Sequence, residues 1–158
     1  MTAILLTGMS GTGKSTVIDA LARRGLDAVD TDHGGYIEHA ALDGHGDPEP
    51  IWREDRIRAL LDQARRGPLF LSGCVVDQRR FSPRFNEVVL LSAPLETVRY
   101  RVRARTTNPF GRTEPDRARI AADLRDVEPV LRAGATVEID TRRPVHDVVV
   151  RVLALAGQ

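Results

Sequence analysis

The sequence predicts a three-layer α/β/α fold built on a five-stranded parallel sheet, and three observations carry that expectation. Short, nearly continuous apolar runs alternate along the chain with longer segments of helical period. Strands of that kind are buried on both faces, as parallel strands are when helices cover them. The first run ends in a glycine-rich turn that opens directly into a helical segment. With 158 residues and 42% apolar content the chain suffices for one domain, 1–158, and with few aromatic residues its core must be largely aliphatic.

Ala3–Thr7 reads as the first buried strand, and Lys14–Arg24 as a helix with Val17, Ile18 and Leu21 on one face. Ala28–Thr31 is a second short strand. Gly34–Pro50, rich in Gly, Asp, His and Pro, reads as mostly irregular. Ile51–Arg66 has the helical period, with Ile57, Leu60 and Leu61 inward, and Gly67-Pro68 stops it. Further strands are expected at Leu69–Ser72, Val88–Ser92 and Val137–Asp140, and helices at Leu95–Arg105, Pro115–Arg132 and Val145–Ala156. Ligands of such sheets bind beyond the carboxyl ends of the strands. The glycine turn, Asp30–Asp32, Ser72–Cys74 and the turn after Asp140 all belong there.

A net charge of +1 argues against nucleic acid or a membrane surface as the main partner. The charge is unevenly spread. Residues 27–62 hold ten Asp or Glu against three Arg, and residues 99–119 hold seven Arg against two acids. A single cysteine, Cys74, excludes an internal disulfide and suits a reducing cytoplasm. The apolar start is too short for a secretory signal, and no run approaches the roughly 20 residues that span a bilayer.

Gly8-Met9-Ser10-Gly11-Thr12-Gly13-Lys14-Ser15 fits G-x-x-x-x-G-K-[ST], the P-loop pattern. Backbone without Cβ atoms curls until successive N–H groups face one concavity, and the following helix adds its positive end. Lys14 supplies a compact mobile charge for the β- and γ-phosphates, and Ser15 a hydroxyl for Mg²⁺. The plain alternative is a glycine turn that merely joins strand to helix. The lysine count speaks against it: Lys14 is the only lysine among 23 basic residues, and it falls where the motif requires one. Gly8, Ser10, Gly11, Thr12, Gly13, Lys14, Ser15 and Thr16 are therefore the expected donor-site residues.

A GTPase switch would need an N/T-K-x-D motif, which a chain with no second lysine lacks. A motor would need a strand ending in Asp or Asp-Glu, whereas Leu69-Phe70-Leu71-Ser72-Gly73 does not. The small size, Asp30-Thr31-Asp32 after the second strand and the arginine-rich run "VRYRVRARTTNPFGRTEP" resemble the shikimate kinase, gluconate kinase and nucleoside monophosphate kinase group of P-loop NTPases. That resemblance implies a cytoplasmic ATP-dependent phosphotransferase using Mg²⁺ and a small-molecule acceptor, as a monomer or homodimer. It implies Asp32 at the acceptor hydroxyl, Asp30 and Asp32 beside the metal, and a mobile lid over residues 106–114 that brings Arg105 at its base and Arg112 within it onto the transferring phosphoryl group. It also implies that Thr141, Arg143 and Pro144 back the nucleotide base. The rival reading is a nucleotide-binding regulatory ATPase with no small acceptor.

The acceptor is less legible. Nucleoside monophosphate kinases carry Asp-Gly-aromatic-Pro-Arg after the third strand and shikimate kinases Gly-Gly-Gly; Ser72-Gly73-Cys74-Val75-Val76-Asp77-Gln78-Arg79 matches neither. Candidate acceptor residues are Asp32, Arg53, Arg56, Gly73, Asp77 and Arg79. Arg53 and Arg56 lie three apart, so both can face one anion if they are not simply part of a solvated face. His33, His39 and His45 have no zinc spacing, Trp52 reads as core or pocket wall, and Cys74 as a possible pocket residue.

Overall fold

The computed structural model describes residues 2–106 and 108–158. Its main sheet is parallel and five-stranded: β1 (Ala3–Thr7), β2 (Asp27–Asp30), β5 (Leu69–Ser72), β6 (Glu87–Ser92) and β7 (Val137–Asp140), in spatial order β2-β5-β1-β6-β7. The central strand β1 is wholly buried and sorts its side chains by alternation. Ala3 and Leu5 join one apolar layer with Trp52, Ile57, Leu61 and Leu71. Ile4 and Leu6 join the other with Val17, Leu21, Phe70, Val149 and Val152. Each fully buried aliphatic side chain of this kind contributes about 1.5–3 kcal/mol.

Helices α1 (Lys14–Ala22) and α6 (Val145–Leu155) cover the second layer, and α2 (Glu54–Gln63) covers the first. A third apolar cluster stands apart. There Val98 and Val102 of α3 (Leu95–Ala104) pack with Ile120 of α4 (Glu114–Asp126) and with Phe110 between them. Thus α3 and α4 hold the ends of the expected lid segment 106–114, within which Thr107 lies outside the described residues.

The five predicted strands stand within one residue at either end. Three expectations are corrected. Gly34–Pro50 is not mostly irregular: β3 (Ile37–Ala40) and β4 (Glu49–Trp52) pair as an antiparallel hairpin. Their exposed residues and Pro50 hide the strand signal, while Tyr36, Ile37 and Trp52 anchor the pair by packing on the core. Consequently the helix read from Ile51 starts at Glu54, and its last residues, Ala64–Arg66, tighten into a 3₁₀ turn. The helix read as Pro115–Arg132 is two, α4 and α5 (Glu128–Gly134), with the break at Val127 just before Pro129. A proline ring clashes with the carbonyl four residues back, so the longer helix cannot continue.

Candidate active site

A cleft of about 1030 Å³ runs along the carboxyl edge of the sheet. Gly8–Gly11 and Gly13, with Lys14, Ser15 and Thr16, form its floor; Asp30, Asp32 and His33 follow β2, and Cys74 follows β5. Arg101, Arg105, Asn108 and Pro109 come from α3 and the lid, and Thr141, Arg143, Val145 and Val148 from the β7–α6 corner. The strand order therefore lays β2 and β5 at one end, the glycine turn in the middle and β7 at the other.

The glycines are needed by geometry. Gly11 has φ +79° and Gly13 φ +102°, values that side chains rarely adopt. A Cβ on Gly11 would also stand 2.8 Å from Val102 and 3.1 Å from Val98, so this turn rests on α3. Lys14 folds over the turn, its Nζ donating to the carbonyls of Gly8 at 2.6 Å and Met9 at 3.1 Å. Burial pushes the Lys14 ammonium below its usual range, partly offset by Cys74, Asp32 and Asp30, with Arg105 adding to the fall. An incoming polyphosphate would supply the negative charge that this amine lacks.

Ser15 Oγ donates to Asp30 Oδ2 at 2.8 Å, and Asp30 Oδ1 accepts the Asp32 N–H at 3.1 Å. The first turn of α1 is thereby tied to the turn after β2. Enclosure in the cleft, then the Asp30 carboxylate, raise the Asp32 pKa above the ordinary range, opposed by Lys14 and His33. Burial likewise pushes the Cys74 thiol up, with Lys14 opposing. The Ser15–Asp30 pair offers hard oxygen donors of the kind Mg²⁺ takes. Among the described residues no group of three His, Cys, Asp or Glu could hold a metal by itself. A divalent ion here would complete its shell with phosphate oxygens and water, as Mg²⁺ commonly does.

Arg105 reaches three ways: Nη1 to Ser10 Oγ at 3.4 Å, Nη2 to Phe110 O at 2.9 Å and Nε to Asn108 O at 3.2 Å. Arg112, expected at the phosphoryl group, does not line the cleft; its Nη2 donates to the Arg105 carbonyl at 2.9 Å and braces the lid base. Thr12 is fully buried, its Oγ1 donating to Met9 O at 2.8 Å. Pro144 stands at the start of α6, between the cleft residues Arg143 and Val145.

The expected acceptor residues other than Asp32 are not brought into the cleft. Arg53 pairs with Asp55 at 3.8 Å. Arg56 Nη1 donates to the carbonyls of Gly34 and Gly35, both at 3.1 Å, with its guanidinium 5.3 Å from the Tyr36 ring centre. Asp77 is buried and accepts the Trp52 backbone N–H at 3.0 Å, so it fixes β4. Gly73 is buried against Thr31 and Trp52, leaving no room there for a Cβ. Arg79 lies beside Gly134, three residues before β7, and does not line the cleft. Spacing had placed Arg53 and Arg56 on one face, but carbonyls and carboxylates nearer to hand claim their donors.

Two cleft residues gave little advance notice. Arg101 showed itself only by sharing a helix face with Arg105, and Asp123 of α4 by nothing local.

A parallel sheet whose first strand opens through a glycine nest into a lysine-bearing helix, with paired carboxylates beside it and an arginine lid above, defines a small P-loop kinase. The chain belongs to the AAA domain family, which it matches over residues 4–122. It is 31% identical to the shikimate kinase of Geobacter metallireducens, over 94% of this chain and 88% of that protein. It is 34% identical to the shikimate kinase of Cereibacter sphaeroides, over 80% of this chain and 68% of that one. Among solved structures, the shikimate kinase from Acinetobacter baumannii in complex with shikimate superposes with TM-score 0.65, covering 98% of this chain and 92% of that chain at 23% identity. That last likeness concerns the fold. The chain is an ATP-dependent phosphotransferase of this kinase group.

Proposed function

We propose that the enzyme transfers the γ-phosphoryl group of Mg-ATP to a hydroxyl of a small metabolite. One observation carries the reading: the Ser15–Asp30–Asp32 hydrogen-bond chain, which ties the donor helix to a carboxylate at the open end of the same cleft. The amides of Gly8–Lys14 cradle the β- and γ-phosphates, and Lys14 turns from the Gly8 and Met9 carbonyls onto them. Ser15 and Asp30 would hold Mg²⁺, which supplies charge neutralisation among the phosphate oxygens. Asp32 orients the acceptor hydroxyl and takes its proton as that oxygen bonds to the γ-phosphorus and ADP leaves. Arg105 sets a guanidinium over the glycine turn, and Arg112 acts through its hold on the Arg105 carbonyl. Thr141, Arg143 and Pro144 line the base end.

Positioning and electrostatics suffice for such a transfer, so no nucleophilic side chain is needed. The reading carries with it a cytoplasmic enzyme, monomeric or homodimeric, with no nucleic-acid partner. Mass-spectrometric detection of a phosphorylated acceptor with matching ADP release tests it. Nucleotide turnover that never depends on an added hydroxyl compound would instead favour a regulatory ATPase.

A further inference from the structure

We infer that the acceptor is a hydroxyl compound that is neutral or bears an amine, and not a carboxylate or a phosphate ester. This rests on the kinase reading and names the substrate class of the same site. The basic side chains of the cleft are confined to one part of it, whereas its acids, Asp19, Asp30, Asp32 and Asp123, are spread more widely. Its cationic lining residues are Lys14, Arg101, Arg105 and Arg143, all from the glycine turn, α3 and the β7–α6 corner. Its other half, where β2 and β5 end, is lined by Asp30, Asp32, His33 and Cys74. Among the described residues no lysine or arginine lines that half.

The guanidinium groups near enough in sequence to change this have other partners. Arg53 stands 3.8 Å from Asp55, Arg58 pairs with Glu54 at 2.6 Å, and Arg56 donates to two loop carbonyls beside the Tyr36 ring. Arg80 bridges Glu54 at 3.0 Å and Asp77 at 3.6 Å. Arg79 lies beside Gly134 and does not line the cleft. An anionic metabolite bound to a protein is met as a rule by a bidentate guanidinium or an ammonium group, because its charge must be compensated when water is removed. Here such a metabolite would meet the Asp32 carboxylate instead, next to a triphosphate. Ser15 and Asp30 would hold a divalent ion for the phosphates, and Asp32 would then be left to face the acceptor. An amine or an uncharged polyol donates hydrogen bonds to the carboxylates at this end without like-charge cost.

The test offers Mg-ATP and wild-type enzyme sets of related acceptors that differ chiefly in charge: shikimate and its methyl ester, glucuronate, glucose and glucosamine, inositol and inositol monophosphate. Phosphorylated product is quantified by mass spectrometry. ATP binding is followed separately by displacement of a fluorescent ATP analogue, with Lys14→Ala as control. The expected result is a kcat/KM at least about tenfold higher for the neutral or amino member of a pair than for its anionic partner. Equal or preferred use of the anionic member overturns the inference and leaves the kinase reading standing. ATP displacement without phosphorylation of any member overturns the kinase reading, and this inference with it.

Discussion

Arg101 grips Thr141 at both of its acceptors: Nη1 donates to Oγ1 at 2.8 Å and Nη2 to the backbone carbonyl at 2.5 Å. Thr141 Oγ1 in turn donates to the Thr12 carbonyl at 2.7 Å, so α3, the glycine turn and the base end of the cleft move as one piece. An ammonium group is a single point and cannot span both acceptors as a planar fork does. Arg101→Lys should raise the KM for ATP about tenfold with a smaller change in kcat, in line with losing a charged hydrogen bond worth about 1.5–3 kcal/mol. Steady-state kinetics at saturating acceptor check this; an unchanged KM would show that the clamp is idle.

Lys14→Met should abolish turnover, lowering kcat by on the order of a thousandfold or more, while the nucleotide-free protein melts no lower than wild type. Burial already disfavours the Lys14 charge in the empty site, so removing it sacrifices no folding energy. Activity assays and thermal melts of the same preparation decide the matter. A large drop in melting temperature would mean that the lysine is structural.

Asp32→Asn separates catalysis from stability. The folded state raises the Asp32 pKa above 3.8, so this group favours folding only at low pH. That contribution is lost as pH rises through the folded value, after which the ionised carboxylate costs stability. In chelator, the Asn variant should therefore melt a degree or more above wild type at pH 7, with the gain vanishing near pH 3.8 and below. Turnover should fall about a hundredfold or more. A variant that melts lower at pH 7 would overturn the electrostatic argument.

Trp52 is the only tryptophan, and its Nε1 donates to Thr31 Oγ1 at 3.0 Å, one residue from Asp32. A methyl on Gly73 would press on both groups. Gly73→Ala should cost about 1–3 kcal/mol, several degrees of melting temperature, and shift the tryptophan emission. Unaltered emission and stability would show that the packing yields freely.

The legibility of this chain varies sharply between neighbouring segments. β1 reads as a strand because continuous burial needs continuous apolar residues, and the glycine turn reads because its chemistry belongs to main-chain amides and one adjacent lysine. The hairpin did not read, since β3 and β4 are short, largely exposed and held by Tyr36, Ile37 and Trp52 against a core assembled from distant strands. Likewise the break at Val127 hid inside a helical pattern, although Pro129 marked the place.

The order of residues alone determined the sheet's alternation with helices and the phosphate-binding turn, both of which arise from interactions within a few positions of each other. Only the tertiary structure decided which arginines face the cleft. A long guanidinium side chain takes the nearest acceptors, and those of Arg56 and Arg101 are brought to it from 21 to 90 residues away. The phosphate-binding turn was thus written locally, while the arginines around it and the charge of the acceptor end emerged from packing.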